Sequence, residues 1–223
     1  MDDDIQDILN SVSAPSIPQR TRDLQALTRA WVNERTSPEL LSYPTPLIER
    51  VMERTKKQIE TIEDITGTLD PRSNFTLVIL QTELERFKFI VRSYLRARIA
   101  KIDARPLHYR ALSQSEPTTL LSPLEQQYLQ SHQALLSSHY NSSFLATFPQ
   151  SLQKLDDTSG GVSMVDKPDE ETAVFCRALR DAGSVEVMGE TATTDVELQR
   201  GDLWLLRWSA VKDAVVRGDV ELV

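Results

Sequence analysis

Leu84-Glu85-Arg86-Phe87-Lys88-Phe89-Ile90-Val91-Arg92-Ser93-Tyr94-Leu95-Arg96-Ala97-Arg98-Ile99-Ala100-Lys101-Ile102 carries the strongest structural signal in this 223-residue chain. It lies inside a run without glycine or proline that extends from about Ser73 to Arg105. The run predicts one helix of about thirty residues, about 45 Å long at 1.5 Å per residue. Helices in globular proteins are far shorter on average, so a rod of this length needs neighbours along it. Leu77, Leu80, Leu84, Phe87, Val91 and Tyr94 follow heptad-like spacing, while Ile79, Phe89, Ile90 and Ile99 populate adjoining faces. A helix apolar on several faces must be covered on several sides. The rest of the chain is barely large enough for that, so a subunit of an assembly is expected.

Outward from this helix, three further helical segments are readable. Arg22 to Glu34 carries Leu24, Leu27, Trp31 and Val32. Beyond the punctuation Ser42-Tyr43-Pro44-Thr45-Pro46, a second helix carries Leu47, Ile48, Val51, Met52, Ile59 and Ile62 to about Ile65, and Gly67 to Pro71 breaks it. Pro106 terminates the long helix. Another opens at Ser122-Pro123-Leu124-Glu125, with an N-cap serine, proline at the first helical position and an early glutamate. It carries Leu124, Tyr128, Leu135, Leu136 and Tyr140 and ends before Pro149.

The texture changes after residue 150. The polar stretch around Asp156-Asp157-Thr158-Ser159-Gly160-Gly161 reads as a linker. Strand-like alternation follows at Thr172 to Cys176, Ser184 to Met188, Val196 to Leu198 and Leu203 to Trp208. A short helix, Ala210 to Val216, and a last strand, Val220 to Val223, complete the pattern. The expected organisation is a segment and linker over 1–18, a mainly α helical-bundle domain over 19–150, a linker over 151–171 and a small β-rich domain over 172–223. The last is close to the lower size limit for independent stability, so it is expected to dock on something.

Composition narrows the function classes. Hydrophobic residues make up 40% and charged residues 26%, and seven glycines suit a helix-rich chain. A net charge of −8 argues against broad, sequence-independent binding to nucleic acid or anionic membrane. No apolar run approaches the roughly 20 residues that span a bilayer. Met1-Asp2-Asp3-Asp4 lacks the layout of a signal peptide, and a single cysteine, Cys176, fits a reducing compartment. An intracellular location is therefore expected, and the triplets Asn74-Phe75-Thr76 and Asn141-Ser142-Ser143 are read as incidental.

Chemical constellations are weak. His132 and His139 lie seven residues apart, His108 stands elsewhere, and no metal-binding helical pair appears, so neither metal nor cofactor is expected. Ser151-Leu152-Gln153-Lys154 matches a Ser-x-x-Lys pattern without its companion motifs. Gly160-Gly161 lacks the residues of a phosphate loop, and Cys176 sits in an alternating apolar run as a small buried residue would. No catalytic residue is assigned. The basic residues Arg86, Lys88, Arg92, Arg96, Arg98, Lys101 and Arg105 raise the alternative of a nucleic-acid surface. Salt bridges to neighbouring helices explain them better, with Lys88, Arg92 and Arg96 on one face at four-residue steps. Trp204 and Trp208 are placed on one side of a strand, as core or docking surface.

The helix Leu84 to Ile102, the run Val174-Phe175-Cys176-Arg177, and the ending Arg200-Gly201-Asp202-Leu203-Trp204-Leu205-Leu206-Arg207-Trp208 with Val216-Arg217-Gly218-Asp219-Val220-Glu221-Leu222 together resemble the Sld-five family of GINS subunits. The resemblance covers nearly the whole chain in order, including Pro149, Leu155-Asp156, Met164-Val165 and Pro168-Asp169. It implies a non-catalytic, nuclear scaffold of the eukaryotic replication fork. Such a subunit joins three sister GINS subunits in a heterotetramer, which joins the MCM ring and a RecJ-like partner to form the replicative helicase. On this reading the long helix is an interface helix, with Leu84, Phe87, Val91, Tyr94, Leu95, Arg98 and Ile102 as interface residues. Phe175, Leu203, Trp204, Leu206 and Trp208 form the core or docking surface of the small domain.

The amino terminus has its own signal. Ile5, Ile8 and Leu9 fall on one side of a helical turn at i, i+3 and i+4, ahead of Ser13-Ala14-Pro15-Ser16-Ile17-Pro18. In the family, a similar acidic segment docks on the trimeric Ctf-four adaptor. Ile5, Asp7, Ile8 and Leu9 are the residues that match it, and a helix laid in a groove needs only such a few anchors. The alternative for the chain as a whole is a helical regulatory or nucleic-acid-binding module. An enzyme using Ser151 and Lys154 is a remote third.

Overall fold

The computed structural model describes residues 18–66, 71–115, 120–154, 165–188 and 193–223. Helices come first: α1 (Gln19–Thr36), α2 (Thr45–Thr66), α3 (Pro71–Ala104), α4 (Pro106–Ser115) and α5 (Pro123–Ser143). Two short 3-10 turns follow, Leu145–Thr147 and Gln150–Leu152. The C-terminal part contains β1 (Ala173–Ala178), β2 (Gly183–Met188), β3 (Thr193–Leu198), β4 (Leu203–Arg207), α6 (Trp208–Arg217) and β5 (Val220–Leu222). This is the expected order, helical bundle and then small antiparallel β-structure. No described helix is long and apolar enough to cross a membrane.

The long helix is present over 34 residues. One helix was not expected. Pro106 does end α3, but it also opens α4, because proline fits the first turn of a helix, where an N–H has no partner in any case. The start of α5 follows its sequence signature. Ser122 accepts a hydrogen bond from the Glu125 N–H, and the Glu125 carboxylate accepts one from the Ser122 N–H, forming a capping box.

The described residues fall into two compact units, 18–28 with 46–87, and 29–45 with 88–223. The boundary runs through α1 and α3, and the second unit holds both helical and β elements. In the first unit, Leu27, Leu47, Ile48, Val51, Leu84 and Phe87 are buried. Asp23, also buried, accepts hydrogen bonds from Gln19 at 2.8 Å and from Arg50 Nη2 at 3.3 Å, and Arg54 stands 3.7 Å away. The Gln58 side chain donates to the Leu80 carbonyl, tying α2 to α3.

Two separate cores stand out among the described residues of the second unit. Leu40, Ile102, Tyr109, Leu121 and Leu129 form the helical one. The other lies between the sheet β4-β1-β5 and α6. Antiparallel register sets Phe175 opposite Leu205 and Cys176 opposite Trp204. Val174, Cys176 and Ala178 therefore point inward with Leu206, Val220 and Leu222, and α6 covers them with Trp208, Val211, Ala214 and Val215. Helix α6 stops at Gly218, whose φ of 78° is left-handed and whose N–H reaches back to the last turn. The β2–β3 hairpin forms a second, two-stranded sheet.

Candidate assembly interface

In the second unit, α3 is held by an ion cluster built on Arg98, which is fully buried. Its five N–H donors meet five acceptors. Nε donates to Glu125 Oε1 at 2.7 Å, Nη1 to Glu34 Oε2 at 2.9 Å and to the Leu41 carbonyl at 2.7 Å. Nη2 donates to Glu125 Oε2 at 3.1 Å and to the Leu120 carbonyl at 2.6 Å. The guanidinium carbon also sits 5.2 Å from the Tyr43 ring centre and 5.6 Å from that of Tyr94.

Lys101, one turn along, completes the cluster. Its Nζ donates to Glu34 Oε1 at 2.7 Å, Ser37 Oγ at 2.8 Å and the Glu39 carbonyl at 2.7 Å. Two cations thus face two anions, and every N–H of both bases is used. Burial alone would lower the Arg98 pKa, but the Glu125 hydrogen bond and the Glu34 charge hold it above its ordinary value. For Lys101 burial dominates and lowers it, against the opposing pull of Glu34. Burial raises the Tyr94 hydroxyl and pushes Tyr109 up to about 12. The cluster locks α1, α3, α5 and the 37–41 segment together.

The surfaces left uncovered lie elsewhere. In the first unit, α3 exposes Phe75 at 74%, Val78 and Ile79, on one face at i, i+3 and i+4. In the second, Phe89 is 60% exposed beside Trp31, with ring centres 6.2 Å apart. Helix α5 exposes Leu124, Tyr128 and Leu135 and turns Glu125, Leu129 and Gln133 inward. The polar Gln133 is satisfied there by the Pro106 carbonyl at 2.7 Å. The outer face of the three-stranded sheet exposes Phe175, Leu203, Leu205 and Val223. Contiguous apolar exposure of this kind marks interaction surface in soluble proteins.

The residues singled out from sequence divide accordingly. Leu84, Phe87, Val91, Tyr94, Arg98 and Ile102 are buried within the chain itself, and Leu95 is half-buried. The seam they define is the inner side of α3, and the uncovered side was not picked out. Of the small-domain residues, Phe175, Leu203 and Trp204 are exposed, while Leu206 and Trp208 are buried. Trp208 does not share a strand with Trp204. The backbone leaves β4 at Arg207, so Trp208 opens α6 and enters the core between helix and sheet. Of the basic residues, Arg98 and Lys101 pair within the cluster and Arg105 stands 3.7 Å from Asp166; Arg92 and Arg96 are exposed, and Lys88 is half-buried. His132 stacks on Tyr128 at 5.7 Å, with Nδ1 3.6 Å from Asp103 Oδ1. Burial lowers the His108 pKa, helped by Lys167 and Arg105, and raises that of the Cys176 thiol. No group of His, Cys, Asp and Glu among the described residues is arranged to hold a metal. Ile5, Asp7, Ile8 and Leu9, and the stretch 155–164, lie outside the described residues.

Comparison with known proteins places these features in a family. Residues 47–144 match the model of the GINS complex protein helical bundle domain, and residues 168–223 that of the C-terminus of DNA replication complex GINS protein SLD5. A Chaetomium globosum protein named DNA replication complex GINS protein SLD5 is 51% identical over 223 residues, spanning 99% of this chain and 100% of the relative. Proteins of the same name from Schizosaccharomyces pombe and Yarrowia lipolytica are 41% and 36% identical. They cover 90% and 99% of this chain and 92% and 85% of their own lengths. The chain belongs to the SLD5 family of GINS DNA replication proteins.

Proposed function

We propose that this chain is a non-catalytic scaffold subunit of a GINS heterotetramer, working in the nucleus within the replicative helicase beside the MCM ring and a RecJ-like partner. The supporting observation is the exposed row Phe75, Val78 and Ile79 on a helix whose opposite side is locked into the chain. Covering a large apolar side chain of this kind is worth about 1.5–3 kcal/mol, a strong drive for a sister helix to dock. The helical region 19–150 supplies the subunit contacts, and the β-rich region 172–223 forms a module beside it. Ile5, Asp7, Ile8 and Leu9 serve as the docking peptide for the Ctf-four adaptor, and no DNA contact is assigned. The test is co-expression with the three sister subunits, followed by size-exclusion chromatography with light scattering. An equimolar tetramer is expected, with an intact tetramer but no adaptor capture when residues 1–10 are deleted. A well-behaved monomer that ignores the sister subunits would overturn the assembly reading, and unchanged adaptor affinity would overturn the peptide assignment.

A further inference from the structure

The joint between the C-terminal β-module and the helical part of the second unit is polar on both sides. Glu39, in the segment between α1 and α2, accepts from the Trp208 indole N–H at 2.9 Å and from Lys212 Nζ at 2.8 Å. The reciprocal pair runs the other way, with Arg29 of α1 donating to Glu221 of β5 at 2.6 Å. Between them, the Leu222 backbone N–H donates to Asn33 Oδ1 at 2.8 Å. An acid from each side thus grips a base from the other.

Apolar contact across this seam is slight. The module's core is built from residues 174–222, and among the described residues Leu41 alone packs against it from outside. The helical core, Leu40, Ile102, Tyr109, Leu121 and Leu129, contains no residue of the module. A cavity of about 180 Å³ lies at the seam, lined by Ala30, Asn33, Leu41, Tyr94, Val215 and Val216 among others. The segment 39–41 mediates between the two sides. Leu40 is buried in the helical core, Leu41 meets the module, and the Glu39 carbonyl is held by Lys101.

The geometry points to a detachable module: residues 173–222 undock from the helical part as a folded body when the Glu39–Lys212 and Arg29–Glu221 clasps open. Each side keeps its own core, so undocking exposes Leu41, the module side chains it packs against and a few hydrogen-bonding groups that water satisfies. Interfaces of this polar type permit relative motion of the parts they join. The clasp side chains Arg29 and Lys212 are themselves partly exposed, so added salt weakens the seam while leaving both cores intact.

Hydrogen exchange by NMR on the full chain, in whatever assembly it purifies with, tests this directly. The Leu222 amide and the Trp208 indole report the seam, and the amides of the β1–β4 ladder report the module's fold. Glu39→Ala is expected to speed exchange at both seam reporters at least tenfold and leave the ladder unchanged, with Glu39→Gln between it and the wild type. Raising sodium chloride from 50 to 500 mM on the unmodified chain should act in the same direction, on the order of a few fold. The proposal is overturned if the seam reporters exchange only together with the ladder, because the module would then open only by unfolding. It is equally overturned if neither Glu39→Ala nor salt moves them.

Discussion

Replacing Arg98 by methionine keeps the volume of the side chain roughly and removes its charge. Five hydrogen bonds disappear. Glu34 retains Lys101, but Glu125 is left with only the Ser122 N–H, and the carbonyls of Leu41 and Leu120 lose the donors Arg98 gave them. The buried cluster changes from two cations and two anions to one cation and two anions. Breaking a buried ion pair from one side costs about 3–5 kcal/mol, about a fifth or more of the roughly 5–15 kcal/mol that holds a domain folded. At about 2–4 °C per kcal/mol, the melting temperature should fall by roughly 6–20 °C. Urea unfolding followed by far-ultraviolet circular dichroism measures the loss. Adding Glu125→Gln to Arg98→Met removes the unpaired charge while leaving an acceptor for the cap, and should return about 1–2 kcal/mol. A loss below about 1 kcal/mol for Arg98→Met, or a double variant weaker than the single, would refute the argument that burial makes this cluster costly to break.

Ile79→Asp should leave stability within about 0.5 kcal/mol and prevent co-purification of sister subunits, since the side chain is half-exposed on an uncovered helix face. Phe87→Asp should instead lower stability by more than about 3 kcal/mol in denaturant titrations, because it buries a charge and opens a cavity in the first unit. Tyr109 titrates near 12 when folded against about 10 when unfolded, so its contribution is complete below pH 10 and lost as pH rises to 12. Wild type should therefore lose about 2–3 kcal/mol more than Tyr109→Phe between pH 10 and pH 12 in urea unfolding. Gly218→Ala should cost about 1 kcal/mol or more in thermal unfolding, because a side chain is strained at that left-handed φ.

The long helix was readable because nothing in Ser73 to Arg105 interrupts it and its apolar residues repeat at helical spacing. The C-terminal strands were readable from alternation, since Val174, Cys176 and Ala178 share one side of β1. What escaped was information that one position cannot carry twice. Pro106 both ends α3 and begins α4, and a reading that used it as a stop lost the helix behind it. Trp208 fits the alternation of β4, but the turn that reassigns it to α6 has no capping side chain to announce it. Glu34 and Arg98 lie 64 positions apart, so their pairing has no local trace. Arg98 could be found, since it interrupts the apolar seam between Tyr94 and Ile102 at four-residue steps. Which side of α3 stays uncovered depended on where the other helices settle, and spacing alone picked out the side that is buried within the chain.

Glu125 stands in two structures at once. Its carboxylate receives the Ser122 N–H that starts α5 and also grips the Nε–Nη2 edge of the Arg98 guanidinium. In kinetic terms, this fuses two steps that are usually separable. A short-range event, nucleation of α5, is completed by a long-range one, its capture by α3, and neither reaches full strength without the other. The helix therefore gains persistence at the moment it finds its place. The rate at which 123–143 becomes ordered should follow the rate at which it meets residue 98.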